Sequence, residues 1–391
     1  MEAGLKELKQ IMLEQIPLEQ ISDLWTQAAS SGESGVLATV VKTRGSSYRL
    51  PGARLLLTSG GRRAGSISGG CLEEDLVKKA WWLTESGPVI RRYDTTSDGE
   101  IATSGFGLGC NGIIHVLLER LQAGGADALE LMQDVRANRR PAAMAHLIGP
   151  PNTVGQRLVI DMAGEARHNL TDRDLPQALE EEARAALAGR NSRTLQVKGV
   201  EVFIEILHPP TRLLVFGAGD DAVPLTALAK YLGWQVWVFD GRSHYARREK
   251  FPLADEVFVR LAGHSGVETD AWTVAVLMSH SYSQDQESLR EFAAQPLRYL
   301  GILGPRKRTS QLIKEVGLDG SRLIPGLHSP MGLDIGADGP EQVALAVLAE
   351  IQATLNGRQG GSLRERDGSI HAPESGSEDG ESLWVQSIAC V

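Results

Sequence analysis

The second half of the chain alternates short apolar runs with helical patterns, and this alternation limits its possible folds more than any other feature. From Arg212 onward, strand-like segments such as RLLVF, QVWVF and WTVAVLM are separated by segments with helical spacing. Nearly continuous apolar strands of this kind suit a parallel sheet that is buried on both faces. We therefore predict an α/β protein with a Rossmann-like domain over residues 208–356, built on a mainly parallel sheet.

The first half has a different texture, which predicts a separate α+β domain over residues 1–207. Residues 1–30 have amphipathic helical order, and the runs GVLATVVKTRG, VIRRYD, IIHVLLE and VEVFIEIL indicate strands. The two prolines of HPPT (208–211) can continue neither a helix nor a central strand, so this segment is the predicted linker. Residues 357–391 are rich in Gly, Ser, Glu and Asp, and we expect them to form a disordered tail.

Charge and composition exclude several classes of protein. The net charge of −9 without a basic stripe argues against a nucleic-acid partner, and no apolar run approaches the roughly 20 residues that span a bilayer. Three cysteines without a CxxC pair provide neither a disulfide framework nor a usual structural zinc site. The charged N-terminus does not have the pattern of a signal peptide. We expect a cytoplasmic protein that binds neither nucleic acid nor membrane.

Two of the cysteines lie in glycine-rich segments beside predicted elements. Cys71 follows Gly69 and Gly70 and starts the helical run CLEEDLVKKAWWL, where the helix dipole would favour the thiolate. Cys110 lies in the loop GFGLGCNG, just before a predicted strand. Thiolates act as nucleophiles, sulfur carriers and soft-metal ligands. Residue type alone leaves open that both cysteines are simply small buried residues, because free cysteine is among the most buried types.

The segment VFGAGDDA lies between a strand and a helix and matches the dinucleotide-binding pattern G-x-G-x-x-A. Gly217 would permit a tight turn, and Gly219 would let the backbone approach a phosphate. Asp240 ends the second strand, where NAD-type folds bind the adenosine ribose. Two carboxylates in the loop, Asp220 and Asp221, would repel a pyrophosphate. These residues leave open both a nucleotide-binding domain and a Rossmann scaffold without a nucleotide.

Polar residues also follow other strands of the predicted sheet. Ligands of open α/β sheets bind beyond the carboxyl ends of the strands, so we expect these residues to share a crevice with the glycine loop. They are His280 after WTVAVLM, the basic run Arg306–Arg308 after RYLGIL, and His328 in a further glycine-rich loop. The strand-end position of the basic run favours contact with a phosphate, whereas such runs elsewhere usually form a solvated surface.

Seven motifs in succession resemble the xanthine dehydrogenase accessory factor family, XdhC/CoxI. The motifs read RGSSYRLPGARLLL, GSISGGCLEE, GLGCNG, VFGAGDDA, SHSYSQD, YLGILGPRKR and LHSPMGLDIGADGPEQVALAVLAEI, and the resemblance covers about residues 20 to 355. The resemblance implies a chaperone that binds the molybdenum cofactor (molybdopterin) while a cysteine desulfurase installs its terminal sulfur. It also implies that the protein helps to insert the cofactor into xanthine dehydrogenase or a related molybdenum hydroxylase.

The resemblance also bears on individual residues. Cys71 and Cys110 match family positions, and Cys71 is expected to contact molybdenum or sulfur. Many members have a histidine after the second glycine, where this chain has Asp220, which weakens the expectation of a nucleotide in the Rossmann domain. We expect an accessory homodimer rather than an enzyme. The rival hypotheses are an NAD(P)-dependent oxidoreductase built on the Rossmann domain, and a scaffold that docks a molybdoenzyme without holding cofactor, in which the cysteines would be dispensable.

Overall fold

The computed structural model describes residues 17–365, apart from residues 46, 95–111, 123–126, 261–262, 264, 294, 296 and 319–325. The described residues form two compact units, Pro17–Pro209 and the part from Pro210 onward. The division falls inside the predicted linker HPPT. The expected disordered tail lies outside the described residues beyond residue 365, whereas residues 357–365 are described and include a 3-10 turn at Leu363–Glu365.

Two five-stranded antiparallel sheets form the first unit. Sheet A contains β1 (Gly35–Gly45), β2 (Arg54–Thr58), β3 (Arg63–Gly65), β4 (Val89–Asp94) and β5 (Gly112–Leu121), in the order β3-β2-β1-β5-β4. Sheet B contains β6 (Ala142–Gly149), β7 (Arg157–Ile160), β8 (Ala166–His168), β9 (Arg193–Val197) and β10 (Val200–Leu207), in the order β8-β7-β6-β10-β9.

Four helices of the described part pack on these sheets: α1 (Pro17–Ser30), α2 (Cys71–Leu83), α3 (Asp127–Asn138) and α4 (Leu175–Gly189). The apolar stripe of α2, including Leu72 and Leu76, is buried against one face of sheet A. The opposite face contacts sheet B through an apolar cluster that includes Leu117 and Phe203. α4 covers the outer face of sheet B. The first unit is therefore layered, with α2 outermost on one side and α4 on the other.

A buried charged cluster joins the two sheets of this unit. The Arg54 guanidinium on β2 forms a bidentate ion pair with the Glu205 carboxylate on β10, with N–O distances of 2.8 and 2.5 Å. The Nε2 atom of His146 on β6 lies 3.3 Å from the same carboxylate. Burial alone would raise the pKa of Glu205, but the charge of Arg54 and the His146 contact lower it to about 2. The cluster therefore holds an ionised carboxylate between the sheets.

The second unit contains a six-stranded parallel sheet. Its strands are β11 (Arg212–Phe216), β12 (Gln235–Asp240), β13 (Glu256–Val259), β14 (Thr273–Leu277), β15 (Leu300–Ile302) and β16 (Leu327–His328), in the order β13-β12-β11-β14-β15-β16. This is the strand order of the dinucleotide-binding Rossmann fold. β12 and β13 extend the sheet on one side of β11, and β14 to β16 extend it on the other side, so the order of the strands reverses between β11 and β14. The predicted Rossmann-like domain is confirmed.

Helices cover both faces of this parallel sheet. They are α5 (Ala222–Tyr231), α6 (Tyr282–Phe292), α7 (Arg306–Val316) and α8 (Pro340–Leu355). α5 and α8 pack on one face, whereas α6 and α7 pack on the other. None of the helices in the described part of the chain has the length and apolar character needed to cross a membrane.

Candidate functional site

Two motif segments that are distant in sequence meet at one end of sheet A. β1 ends at Gly45, which pairs with Gly112, the first residue of β5. β4 ends beside them, because Asp94 pairs with Ile113. Cys110 precedes Gly112 by two positions and lies outside the described residues. We call this end of the sheet, defined by Gly45, Gly112 and Asp94, the Gly45 end.

Helix α2 begins at the Gly45 end. Its Asp75 carboxylate accepts a 3.0 Å hydrogen bond from the hydroxyl of Tyr93, near the end of β4. Toward the other end of the helix, the carbonyl of Trp81 accepts a hydrogen bond from Arg120, near the far end of β5. The helix therefore runs away from the Gly45 end, and Cys71, its first residue, lies there. The predicted position of Cys71 at a helix start is confirmed, although its side chain is not described.

Glu73 fixes the backbone that leads into Cys71. Its buried carboxylate accepts hydrogen bonds from the N–H groups of Ile67 (2.9 Å), Ser68 (2.8 Å) and Gly70 (3.1 Å), and from the hydroxyls of Ser66 and Ser68. Burial favours a higher pKa, but the bonds from Ser68 and Ser66 outweigh it and lower the pKa of Glu73. The sequence prediction missed this residue. Its signal was the capping-box spacing, a glutamate three positions after the residue that precedes the helix.

Gly69 and Gly70 leave open space in front of the helix. A Cβ atom added to either residue would meet no heavy atom of the described residues within 4 Å. Gly70 has a φ of 120°, a left-handed conformation that glycine adopts most easily. Among the described residues, the first turn of α2 therefore faces open space, where its N–H groups and dipole favour negative charge.

A polar cleft lies between the two sheets near the Gly45 end. It is lined by residues of β1, β9, β10 and the loop before β2, namely Lys42, Thr43, Arg44, Pro51, Thr194, Leu195, Gln196 and Glu201. Lys42 forms an ion pair with Glu201. The exposed guanidinium of Arg44 has no hydrogen-bond or ion-pair partner within the described residues. Burial, followed by the charge of Lys42, lowers the pKa of His115, which pairs with Lys42 in the ladder. Because Glu201 offsets Lys42, Arg44 gives the described lining a net positive charge, and we call this the cationic cleft.

The glycine loop of the Rossmann unit is shaped by contacts within the protein. A Cβ atom on Gly217 would lie less than 3.0 Å from the carbonyl oxygen of Met278. The close approach of the segments that follow the neighbouring strands β11 and β14 therefore requires glycine at this position. A Cβ atom on Gly219 would lie equally close to Oδ1 of Asp221. Oδ2 of Asp221 lies 2.8 Å from Nε2 of His280. The Asp221 carboxylate thus rests against Gly219 and is held by His280.

Asp240 lies at the predicted strand tip, but its carboxylate already has partners. One oxygen accepts hydrogen bonds from the backbone N–H and Nε of Arg242, at 2.9 and 2.8 Å. The other accepts bonds from the N–H of Ala218 (2.9 Å) and from Nη2 of Arg242 (2.7 Å). Burial would raise the pKa of Asp240, but these bonds lower it. The carboxylate orders the glycine loop from within the protein.

The other predicted residues of the Rossmann unit divide into two groups. His280 and the basic run lie at the edge that holds the glycine loop. Arg308 donates a 2.7 Å hydrogen bond to buried Asp285, which also binds the Ser279 hydroxyl, whereas Arg306 is exposed at the start of α7. His328 lies two strands further along the sheet. It stacks on Tyr299 and lies 3.3 Å from the carboxylate of Glu350.

The described residues contain no group of three or more His, Cys, Asp or Glu side chains that could hold a metal ion. The predicted contact of Cys71 with molybdenum stays a prediction, because it depends on a side chain that is not described. The donor types at the Gly45 end nevertheless fit an anionic, sulfur-linked cofactor. A cysteine begins a helix, glycines leave its approach open, and a cationic cleft lies near the same end.

Family models match both units of the chain. The model described as the XdhC and CoxI family matches residues 28–94, and the model described as the XdhC Rossmann domain matches residues 213–351. A Bacillus subtilis (strain 168) protein named as a probable xanthine dehydrogenase subunit is 33% identical over 327 residues, which cover 82% of this chain and 93% of the relative. Molybdenum cofactor insertion chaperone PaoD of Escherichia coli K12 is 25% identical over 329 residues, covering 83% and 85% of the two chains.

A solved structure agrees with these matches. The crystal structure of a protein described as a xanthine dehydrogenase from Bacillus halodurans superposes with a TM-score of 0.72 at 30% sequence identity. The similarity covers 88% of this chain and 98% of the other. Similarity of this extent, together with matches to both family models, confirms the resemblance found in the sequence motifs. The chain belongs to the XdhC and CoxI family.

Proposed function

We propose that the protein is a molybdenum-cofactor chaperone. It binds the cofactor through its first unit, supports its sulfuration, and assists its insertion into xanthine dehydrogenase or a related molybdenum hydroxylase. The observation that carries this proposal is the position of Cys71 at the start of α2, at the end of sheet A where Gly112 follows the Cys110 loop. The names of the Bacillus subtilis protein and of PaoD support the proposal.

The residues around Cys71 suit the handling of sulfur or molybdenum. The dipole of α2 favours the thiolate of a cysteine at its first position, and thiolates are soft-metal ligands and sulfur nucleophiles. Glu73 holds the preceding loop, and Gly69 and Gly70 keep the approach open. When bound, the cofactor would supply the metal centre that the target hydroxylase uses for its redox chemistry.

The cationic cleft suits the phosphate group of the cofactor. Molybdopterin carries a phosphate, and Lys42 and Arg44 supply positive charge beside the hydroxyls of Thr43 and Thr194. The Glu201 carboxylate also lines the cleft, but Lys42 neutralises it. Among the described lining residues Arg44 is then the cation left for a ligand, and a guanidinium binds phosphate through two parallel hydrogen bonds.

The remaining parts of the proposal concern partners and location. A cysteine desulfurase would supply the sulfur, and the target hydroxylase would receive the loaded cofactor. We expect a cytoplasmic homodimer. The scarcity of cysteine, three residues without a CxxC pair, supports a reducing compartment.

The test is expression of the full chain in a host that makes the molybdenum cofactor, followed by metal and pterin analysis of the purified protein. Molybdenum and pterin should co-purify in similar amounts. Wild-type protein that carries neither, from a host whose own molybdoenzymes are loaded, would contradict the proposal.

The alternative of an NAD(P)-dependent oxidoreductase gains no support from the Rossmann unit. A nicotinamide enzyme must hold its cofactor firmly beside a positioned acid or base. Here the Asp221 and Asp240 carboxylates are both engaged by other groups of the protein, at the two positions where the dinucleotide would be recognised. We therefore assign no hydride-transfer activity to the chain.

A further inference from the structure

We propose that the Rossmann unit excludes dinucleotides because the protein's own Asp221 carboxylate occupies the phosphate position of its glycine loop. This inference concerns the second unit and is independent of the cofactor site proposed for the first. It predicts that the unit is a masked nucleotide-binding domain, and that removal of one side chain restores phosphate binding.

The position of Asp221 carries the first step. In a dinucleotide-binding loop the second glycine lets the pyrophosphate approach the backbone closely. Here Oδ1 of Asp221 lies less than 3.0 Å from the point where a Cβ of Gly219 would be, so the carboxylate fills the space that a phosphate oxygen would need. The space beside Gly219 is therefore taken by an internal carboxylate in place of a ligand.

His280 keeps Asp221 in this position. Asp221 precedes helix α5 at the N-cap position, yet its side chain makes no capping hydrogen bond. Its carboxylate instead contacts Nε2 of His280 at 2.8 Å. His280 has a φ of 56°, an uncommon conformation for a residue other than glycine, and follows β14 on the opposite side of the point where strand order reverses. The pair therefore spans the place where dinucleotides enter this fold.

The ribose position is blocked in the same way. Asp240 accepts four hydrogen bonds, three of them from Arg242, and its side chain is fully buried. The Arg242 guanidinium also lies 4.3 Å from the ring centre of Tyr245, which stabilises its orientation. A ribose hydroxyl would have to displace this guanidinium to reach the carboxylate.

The neighbouring Asp220 distinguishes two reasons why phosphate would be excluded, namely that a side chain occupies its position or that negative charge repels it. It carries the same charge in the same loop, but its side chain is 96% exposed and pairs with Lys250 at 2.8 Å. The close approach to Gly219 belongs to Asp221. If repulsion alone excluded phosphate, neutralising either aspartate would have a similar effect. If occupancy excludes it, only replacement of Asp221 by a smaller side chain opens the loop.

The experiment is calorimetric titration of the full chain with ADP and with NAD⁺. Wild type and Asp220→Asn should show no saturable binding at millimolar concentration, whereas Asp221→Ser should bind ADP at least about tenfold more tightly. Serine is a favourable N-cap residue, so the helix should be retained. Adding Arg242→Ala to Asp221→Ser should improve NAD⁺ binding further, because it frees Asp240 for the ribose.

Three results would overturn the proposal. They are wild-type ADP binding as tight as that of Asp221→Ser, an equal gain in Asp220→Asn, and no gain in an Asp221→Ser protein whose thermal unfolding matches wild type. If the serine variant does not fold, Asp221→Ala has the same expected gain and the same contradicting results.

Discussion

Gly45 and Gly112 face each other in the antiparallel ladder of β1 and β5. The two residues belong to motifs far apart in sequence, RGSSYRLPG and GLGCNG. Their pairing brings the segment that follows Cys110 to the end of the sheet where Cys71 begins α2. Cys71 and Gly112, which follows Cys110 by two positions, therefore lie at the same end of sheet A.

Replacement of Cys71 should remove cofactor binding and leave the fold unchanged. Cys71→Ala keeps a good helix former at the first position of α2, so we expect a thermal unfolding temperature close to wild type. Molybdenum and pterin in the purified protein should fall about tenfold or more. Cys390→Ala is the matched control and should retain both. Equal loading of Cys71→Ala and wild type would disprove a role for this thiol.

Glu73→Gln should loosen the loop before Cys71. It replaces a buried carboxylate that accepts several hydrogen bonds, and we expect a loss of about 1–3 kcal/mol in the free energy of unfolding. Glu74→Gln, at an exposed position on the same helical turn, should cost far less. Urea unfolding of both variants checks the difference. Similar losses in the two would show that the Glu73 contacts contribute little.

The lowered pKa of Glu73 gives this effect a pH dependence. Because the folded-state pKa is below the unfolded-state value, the carboxylate contributes its full stability above the usual glutamate range. That contribution is lost as the pH falls through the folded-state pKa. The difference in unfolding free energy between wild type and Glu73→Gln should therefore shrink in acid. A difference that stays constant between neutral and acid pH would contradict this.

Glu205→Gln should be the most destabilising of these single changes. It leaves the buried Arg54 guanidinium without its counter-charge, which costs about 3–5 kcal/mol. The wild-type pair should hold its full contribution above pH 4.5, the ordinary value for glutamate, and lose it toward pH 2. The double variant Arg54→Met/Glu205→Leu should recover much of the loss. Denaturant unfolding measures all three, with exposed Glu165→Gln as control. A single variant no less stable than this control would refute the prediction.

Arg44→Glu should reduce pterin retention without unfolding the protein. The guanidinium has no partner within the described residues, so reversal of its charge breaks no internal contact there and acts on the potential of the cleft. Arg63→Glu, on the exposed side of β3 and remote from the Gly45 end, is the matched control. Pterin fluorescence per mole of purified protein should fall several-fold in Arg44→Glu alone. An equal fall in both variants would point to net charge rather than to the cleft.

The long elements of the fold could be predicted from sequence because their patterns are local. The helical spacing of CLEEDLVKKAWWL and the apolar runs of β11, β12 and β14 depend only on which face is buried. The strands β8, β9 and β16 gave no such signal. β8 is exposed throughout, β9 is an edge strand with only Val197 buried, and β16 has two residues. Such strands are formed by their partners and have little pattern of their own.

The site was harder to predict than the fold because its residues have partners distant in sequence. The position of Cys71 follows from a local helix signal, whereas the pairing of Gly45 with Gly112 depends on the sheet topology. Asp240 shows the same limit. Its place at the strand tip was predictable, but its engagement by Arg242 depends on how the chain turns after the strand. The spacing of the two residues in FDGR was the available signal.

Gly217 lies against the carbonyl of Met278, and this contact alone demands glycine whether or not any nucleotide is bound. The first glycine of the dinucleotide-binding pattern is usually associated with a ligand. Here it is required by the close approach of the ends of two neighbouring strands. A lineage can thus lose the ligand and keep the glycine, since any larger residue would collide with the neighbouring strand end. Searches that infer dinucleotide use from glycine spacing will therefore assign it to proteins that have kept only the architecture.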